Sequence, residues 1–433
     1  MTGAPFWRGY WLLFASTSAA AFIMQIDLAM VARLGGRASG AYAILMRITL
    51  LDVAVTIASA AVAAIALGHA QRNGEEREAI EKTCAIAVAL GAATAIFGFF
   101  AYPIFLSMLM GDAAAAPFVG APIVWLVAGA PFRVLANTQG FLLHGLGRGG
   151  AVLKWKLAEI PAKAGANFLF MNALGFGFAG CFLAGYFVAV ASSIWLWTRL
   201  APHGARNMRL PELAFARSFL GGTFWEALRV LSPQAAMLFS LTLFSLPWQS
   251  AANGQRLDSF AAAQTFMLFI LGPLITLTRF LAIRLPAKSV DDWSTALAPM
   301  ARVGAPIALT AAVILLLGRD WIGATLYRQH GPWWSVFIAC LALSLPIRFI
   351  GSVVRGLALA RSAFARLTFA DVLAQWLIAP LVLAFGLSAN RPEIAYQSLI
   401  WPEAVVVFLI WRSLRSAPEE PVGASWPSKG HVQ

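Results

Sequence analysis

The sequence predicts an all-α, polytopic membrane protein with twelve transmembrane helices arranged as two pseudo-symmetric six-helix bundles. Three observations carry that expectation. Hydrophobic residues make up 60% of the 433-residue chain and charged residues only 12%, with a mean hydropathy of +0.74. Soluble domains run at about 45–50% apolar and about 25% charged. Apolar runs of about 20 residues, each enough to cross a ~30 Å hydrocarbon core, recur from end to end. Finally, one phrase is written twice. "PFRVLANTQGFLLHGLGR" (131–148) and "PIRFIGSVVRGLALAR" (346–361) both have Pro-x-Arg, a small-residue stretch, a basic residue (His144 or Arg355) and Gly-Leu.

The spans fall at 10–31, 41–67, 84–109, 117–143, 155–175, 178–198, 224–248, 259–281, 297–317, 332–352, 367–387 and 393–411. The first, whose apolar run starts at Trp11, lacks a clean small-residue cleavage site and reads as a retained span rather than a signal peptide. Pro233 and Pro247 bracket the core of the seventh, which makes it the weakest assignment. The polar stretch "APHGARNMRLPELAFARSFLGG" divides the spans six and six. This gives an amino-terminal lobe over 1–200, a cytoplasmic linker over 201–222, a carboxy-terminal lobe over 223–412 and a flexible cytoplasmic tail over 413–433. Within the linker, "PELAFARSFL" could lie as a helix on the membrane surface, although a plain tether is the better reading.

An even number of spans per half makes the repeat a parallel one, about an axis along the membrane normal. A weaker echo agrees: Gly35 and Arg37 in "RLGGRASGAYA" match Gly254 and Arg256 in "ANGQRLDSFAAA". Lys and Arg concentrate on the amino-terminal side and on every second loop, including Arg72, Arg77 and Lys82, then Arg199, Arg206, Arg209 and Arg217. Short basic loops stay in the cytoplasm, so both termini are expected there, in the inner membrane of a bacterium. The formal charge of +13 is mostly this bias and calls for no nucleic acid. Cys84, Cys181 and Cys340 read as small core residues, and the five scattered histidines write no metal cluster. Most of the tryptophans fall at span ends, as an interfacial belt does. Trp125 and Trp376 lie deeper, where packing is the better reading and stacking on an organic substrate the other.

Charges inside spans are expensive and raise functional questions by default. Asp27, in "MQIDLAMVARLG" with Gln25 before it, is the most informative. A carboxylate in a poorly hydrated cavity can exchange a proton, or trade it for a cation or cationic substrate. The bland alternative is an interfacial acid paired with Arg33 or Arg37. Asp52 could pair with Arg47 across adjacent turns. Glu159 and Lys163 have the i,i+4 spacing of a helix-surface pair. Asp371 could clasp Arg361 or Arg366, Glu226 and Arg229 look interfacial, and Glu403 stays open. Arg133 and Arg348 stand at matched places, where each either snorkels to the outer interface or puts positive charge on the transport path. No His/Asp or paired-acid constellation argues for a membrane-embedded enzyme.

Several stretches together resemble the multidrug and toxic compound extrusion (MATE) transporters of the multidrug/oligosaccharidyl-lipid/polysaccharide exporter superfamily. They are "IDLAMVARLGGRASGAYAI", "GFLLHGLGRGG", "NFLFMNALGFGFAGCFLAG" and, in the second half, "VVRGLALARSA". The resemblance implies a MATE-like fold of two lobes around an alternately opening cavity. It also implies a monomer in the bilayer that exports a small organic compound against protons or sodium, with no cofactor. Asp27 and Asn167 match the family's amino-lobe cation site. The companion acid falls on Met171, beside Asn172, and the span-six threonine on Gly185. One carboxylate then remains, which favours the proton motive force over sodium and leaves an uncoupled protein as an alternative. A flippase for lipid-linked sugars is the other transport reading. It would want a basic cavity, which Arg133 and Arg348 could supply.

Overall fold

The computed structural model describes residues 3–35, 38–110, 115–203, 208–246, 253–288 and 292–416, and every regular element among them is helical. The chain divides into two compact units, with the break between Ala227 and Leu228. The first unit contains α1 (Gly3–Ala32), α2 (Ala38–Ile48), α3 (Leu50–Asn73), α4 (Glu76–Met110), α5 (Ala121–Ala128), α6 (Ala130–Gly145), α7 (Gly149–Asn167) and α8 (Gly177–Leu200). Helix α9 (Leu213–Ser245) carries the chain across the division. The second unit continues with α10 (Asn253–Arg284), α11 (Trp293–Ile322), α12 (Pro332–Ala360), α13 (Phe364–Leu373), α14 (Ala379–Ser388), α15 (Pro392–Ala395) and α16 (Trp401–Ser416).

Among the described residues, eleven helical stretches are long and apolar enough to cross a membrane, and the protein is a multi-pass membrane protein. The expected span outside these eleven is the fifth, α7 with the π-helical turn Phe168–Ala173 that follows it, which carries Lys154, Lys156, Glu159 and Lys163. Those charges make it the most polar of the set. They are also what builds the site described below.

Several spans are interrupted where the sequence reading drew them whole. The second is interrupted at Thr49, whose ψ of 6° leaves the helical range although its amide still donates to the Leu45 carbonyl at 2.9 Å; its hydroxyl donates to the Met46 carbonyl at 3.1 Å. The fourth is α5 and α6 joined at Gly129, with Pro131 in the first turn of α6. The eleventh is α13 and α14 linked by a π-helical turn, Ala374–Ile378. The linker is a correction in the other direction. Its second part is no separate surface helix, because α9 runs unbroken for 33 residues from Leu213 with Pro233 inside it. Residues 204–207, Arg37, Pro247 and residues 417–433, and hence parts of the linker, the echo and the tail, lie outside the described residues.

The two units pair their helices by one scheme. In the first, α6 packs on α3, α4 and α8, and α7 packs on α8; in the second, α12 packs on α10, α11 and α16, and α13 packs on α16. The hairpins after α6 and α12 match in detail. Gly147 and Ser362 both have positive φ, 77° and 58°. The amide of Arg148 donates to Leu143 at 2.7 Å, and that of Ala363 to Ala358 at 2.9 Å, which closes both helix ends alike. Pro131 lies as far before Gly147 as Pro346 lies before Ser362. The echo of "HGL" in "RGL" is therefore one helical turn out of register: Leu359 stands where His144 does, and Arg355 stands where Gly140 does.

Apolar packing differs between the units. The second is centred on an aromatic stack in which Phe244 and Phe260 lie 4.2 Å apart and Tyr396 meets Phe337 edge-on at 5.0 Å. The first packs smaller residues, with Val31, Ala41, Leu45 and Leu106 buried beside Tyr42 and Phe182. Exposed Ile96, Phe100, Ile104 and Met108 on α4 give that helix the apolar outer surface a lipid-facing span needs. Cys84, Cys181 and Cys340 are buried and free.

Candidate functional site

A cavity of about 400 Å³ opens inside the first unit, walled by α1, α2, α3, α6, α7 and α8. Most of its wall is apolar. Beside neutral polar groups and His144, the wall carries three acids, Asp27, Asp52 and Glu159, and three Lys or Arg side chains, Arg133, Lys156 and Lys163. Each acid is matched to one base, as burial of charge requires.

The first pair is Asp27 with Lys163. The Lys163 ammonium stands 3.1 Å from Asp27 Oδ1 and donates to Asn167 Oδ1 and to the Cys181 carbonyl, both at 2.9 Å. Three acceptors use the three donors an ammonium has. Asn167 also donates its Nδ2 to Asp27 Oδ1 at 2.7 Å, and the Tyr42 hydroxyl meets the same carboxylate. Lys163 and Asn167 reach one point because they lie one turn apart on α7. Asn167 is the last residue of α7 before the chain widens into the π-helical turn, a distortion frequent at functional sites. Gly185 on α8 leaves the approach open, since a Cβ there would lie 3.6 Å from the Lys163 ammonium.

This geometry corrects two expected pairings. Asp27 does not turn to Arg33, which is exposed. Lys163 does not pair with Glu159, which instead takes Lys156 at 2.7 Å. Gln25, two residues before Asp27 and so on the opposite side of α1, is exposed and outside the cavity wall. Met171 is buried in the core and Asn172 is exposed, so neither adds an oxygen to the Asp27 cluster.

The second pair is Asp52 with Arg133. Arg47 is not the partner: Arg133 Nη2 donates to Asp52 Oδ2, and its Nη1 donates to the Leu126 carbonyl at 2.8 Å. Arg133 is turned to the cavity rather than snorkelling outward, with 31% of its side chain exposed against 6% for Asp52. Asn137, one turn further along α6, donates to the Thr56 carbonyl at 3.0 Å. Trp125 packs on Tyr186 at 5.6 Å.

Arg348, the matched arginine of the second unit, is enclosed. Its Nε donates to Ser344 at 3.0 Å and its Nη2 to the Leu399 carbonyl at 3.2 Å, with Glu403 at 3.9 Å. Arg355, three residues past the expected end of the tenth span at 352, is inside α12. It donates from Nε and Nη2 to Asp371 Oδ1, at 3.1 and 2.9 Å, and from Nη1 and Nη2 to Glu403. Arg361 and Arg366 therefore do not hold Asp371, and Arg229 approaches it at 3.9 Å. Glu226 is buried rather than interfacial. Trp376 donates to Ser232 at 3.0 Å and packs on Phe239. Among the described residues, no three His, Cys, Asp or Glu side chains gather as a metal site.

No protein-family model and no curated protein matches the sequence. Solved structures match the fold. A MATE transporter crystallised in a bent conformation aligns with a TM-score of 0.83 at 15% identity, covering 95% of this chain and 94% of that one. The Vibrio cholerae MATE transporter VcmN in its bent form gives 0.82 at 13% identity and 98% of each chain. A superfamily transporter from Pyrococcus furiosus, described as having a binding pocket of reversed polarity, gives 0.77 at 14% identity over 98% of this chain and 96% of that one. The fold is that of a polytopic, all-helical transporter class. Within that class it is the MATE fold, present over nearly the whole chain.

Proposed function

We propose that this protein is a secondary active transporter that exports a small organic compound across the bacterial inner membrane. It works by alternating access, with both termini cytoplasmic, and protons exchanged at Asp27 drive it. The observation that carries the reading is the buried Asp27–Asn167–Lys163 cluster in the cavity wall. Ionised Asp27 holds Lys163, and the site is neutral. A proton taken up by Asp27 removes that attraction and leaves Lys163 on Asn167 and the Cys181 carbonyl alone. The two protonation states therefore favour different packings of α1 against α7, which is what coupling requires.

A second reading has one observation behind it. A carboxylate already matched by a lysine can serve as a fixed structural pair, and the protein would then transport without cation coupling. A lipid-linked-sugar flippase has less support, since Asp52 partners Arg133 and Glu403 lies beside Arg348. The test is dye or drug uptake into everted membrane vesicles under an imposed pH gradient. Asp27→Asn is expected to lower proton-driven uptake by at least about tenfold, ~1.4 kcal/mol of coupling. Undiminished uptake in that variant would favour the uncoupled reading.

A further inference from the structure

We infer that Lys163 is the resident cation of the Asp27 site, so that the protein neither binds nor needs sodium there. The inference rests on reading Asp27 as the coupling group. The Lys163 ammonium is surrounded by Asp27 Oδ1 at 3.1 Å and by Asn167 Oδ1 and the Cys181 carbonyl at 2.9 Å. One carboxylate and two neutral oxygens around a single positive charge are what a monovalent metal ion would also seek. Here the charge is covalently attached.

Three features make the arrangement a built one. Asp27 and Lys163 are 13% and 5% exposed at their side chains, so the pair is shielded from competing water. Asn167 is fully buried, and its amide is used at both ends, donating to Asp27 and accepting from Lys163. Gly185 faces the ammonium without a side chain to crowd it. The other groups facing the carboxylate are the Tyr42 hydroxyl and, behind Lys163, the Cys181 thiol; neither brings a second negative charge. A sodium ion added to this cluster would put two positive charges against one carboxylate, between largely buried side chains where screening is weaker than in bulk water. Sodium is therefore excluded by charge count, and only a proton can change the charge on Asp27 without moving Lys163 away.

Radioactive sodium binding to the purified full-length protein in detergent tests this without depending on transport. The wild type is expected to bind no more sodium than Asp27→Asn. In Lys163→Ala the cage is vacated while Asp27 stays charged, and sodium affinity should rise by roughly tenfold or more. Adding Asp27→Asn to that variant should abolish the gain. Lys163→Gln, which keeps hydrogen-bonding capacity without the charge, repeats the comparison if the alanine variant fails to fold. Asp27-dependent sodium binding by the wild type would overturn the inference, and so would a cage that gains no sodium affinity once the lysine charge is gone. A loss of proton-driven transport in Asp27→Asn alongside wild-type sodium binding would overturn this inference while sparing the coupling role of Asp27.

Discussion

Asp52 and Arg133 come from different spans and hold each other, with Thr56 also donating to Asp52 at 3.4 Å and the Leu126 carbonyl accepting from Arg133. Replacing Asp52 with Leu leaves the Arg133 guanidinium facing a mostly apolar wall with one carbonyl partner, that of Leu126. Breaking a fully buried pair costs about 3–5 kcal/mol; Arg133 is partly exposed to the cavity, which lowers the expectation to about 2–3 kcal/mol. Thermal unfolding in detergent should show that loss. The double variant Asp52→Leu/Arg133→Met should recover most of it, because a matched apolar pair needs no solvation. The clasp of the second unit is stricter. Arg355 serves both Asp371 and Glu403 through a planar fork, so Arg355→Lys should not rescue what Arg355→Met destroys. The sequence made these charges conspicuous, since ionisable residues inside apolar runs are rare. Their partners were not legible. Glu159 with Lys163 fits helix spacing and Arg47 is the nearest base to Asp52 in the sequence, but pairing across helices depends on which faces pack together. The resemblance put Asp27 with Asn167, which do meet, whereas Lys163, one turn from Asn167 on the same span, reads from spacing alone as a partner of Glu159.

Close helix contacts are written in glycine. A Cβ at Gly91 on α4 would lie 2.5 Å from the Pro131 backbone of α6, and one at Gly356 on α12 would lie 2.7 Å from Leu281 of α10. Small residues at such crossings are what lets membrane helices approach. Gly91→Ala is expected to lower the melting temperature and the folded yield, because backbone cannot yield as a flexible side chain can. Gly221→Ala on α9, with nothing within 4 Å of the added atom, should be neutral or stabilising by up to about 1 kcal/mol through helix propensity. A swap of those two outcomes would contradict the packing described. Span number and position were legible because a bilayer fixes the length of an apolar run. The breaks at Thr49 and Gly129 and the π-helical turns after Asn167 and Leu373 were not. They alter hydrogen bonding locally while leaving hydropathy almost unchanged. The continuity of α9 was hidden for the opposite reason, since its first turns read as polar linker although Leu213 begins a helix that Pro233 does not end.

The duplicated phrase that opened the question of two halves holds in the molecule, though in a different register. Pro131 and Pro346, Arg133 and Arg348, and the left-handed residues Gly147 and Ser362 correspond, whereas His144 and Arg355 do not. The halves keep the same helix pairing and have diverged in charge. The first surrounds a cavity with three matched pairs; the second encloses Arg355 between two acids. The proposed proton exchange at Asp27 belongs to the first unit. The most direct measurement is proton release from the purified protein when a transported compound is added. In buffer acidic enough for Asp27 to carry its proton, the wild type is expected to release up to about one proton per molecule bound, as linkage between the two ligands requires. Asp27→Asn should release none while still folding. Equal release by that variant and the wild type would contradict the account.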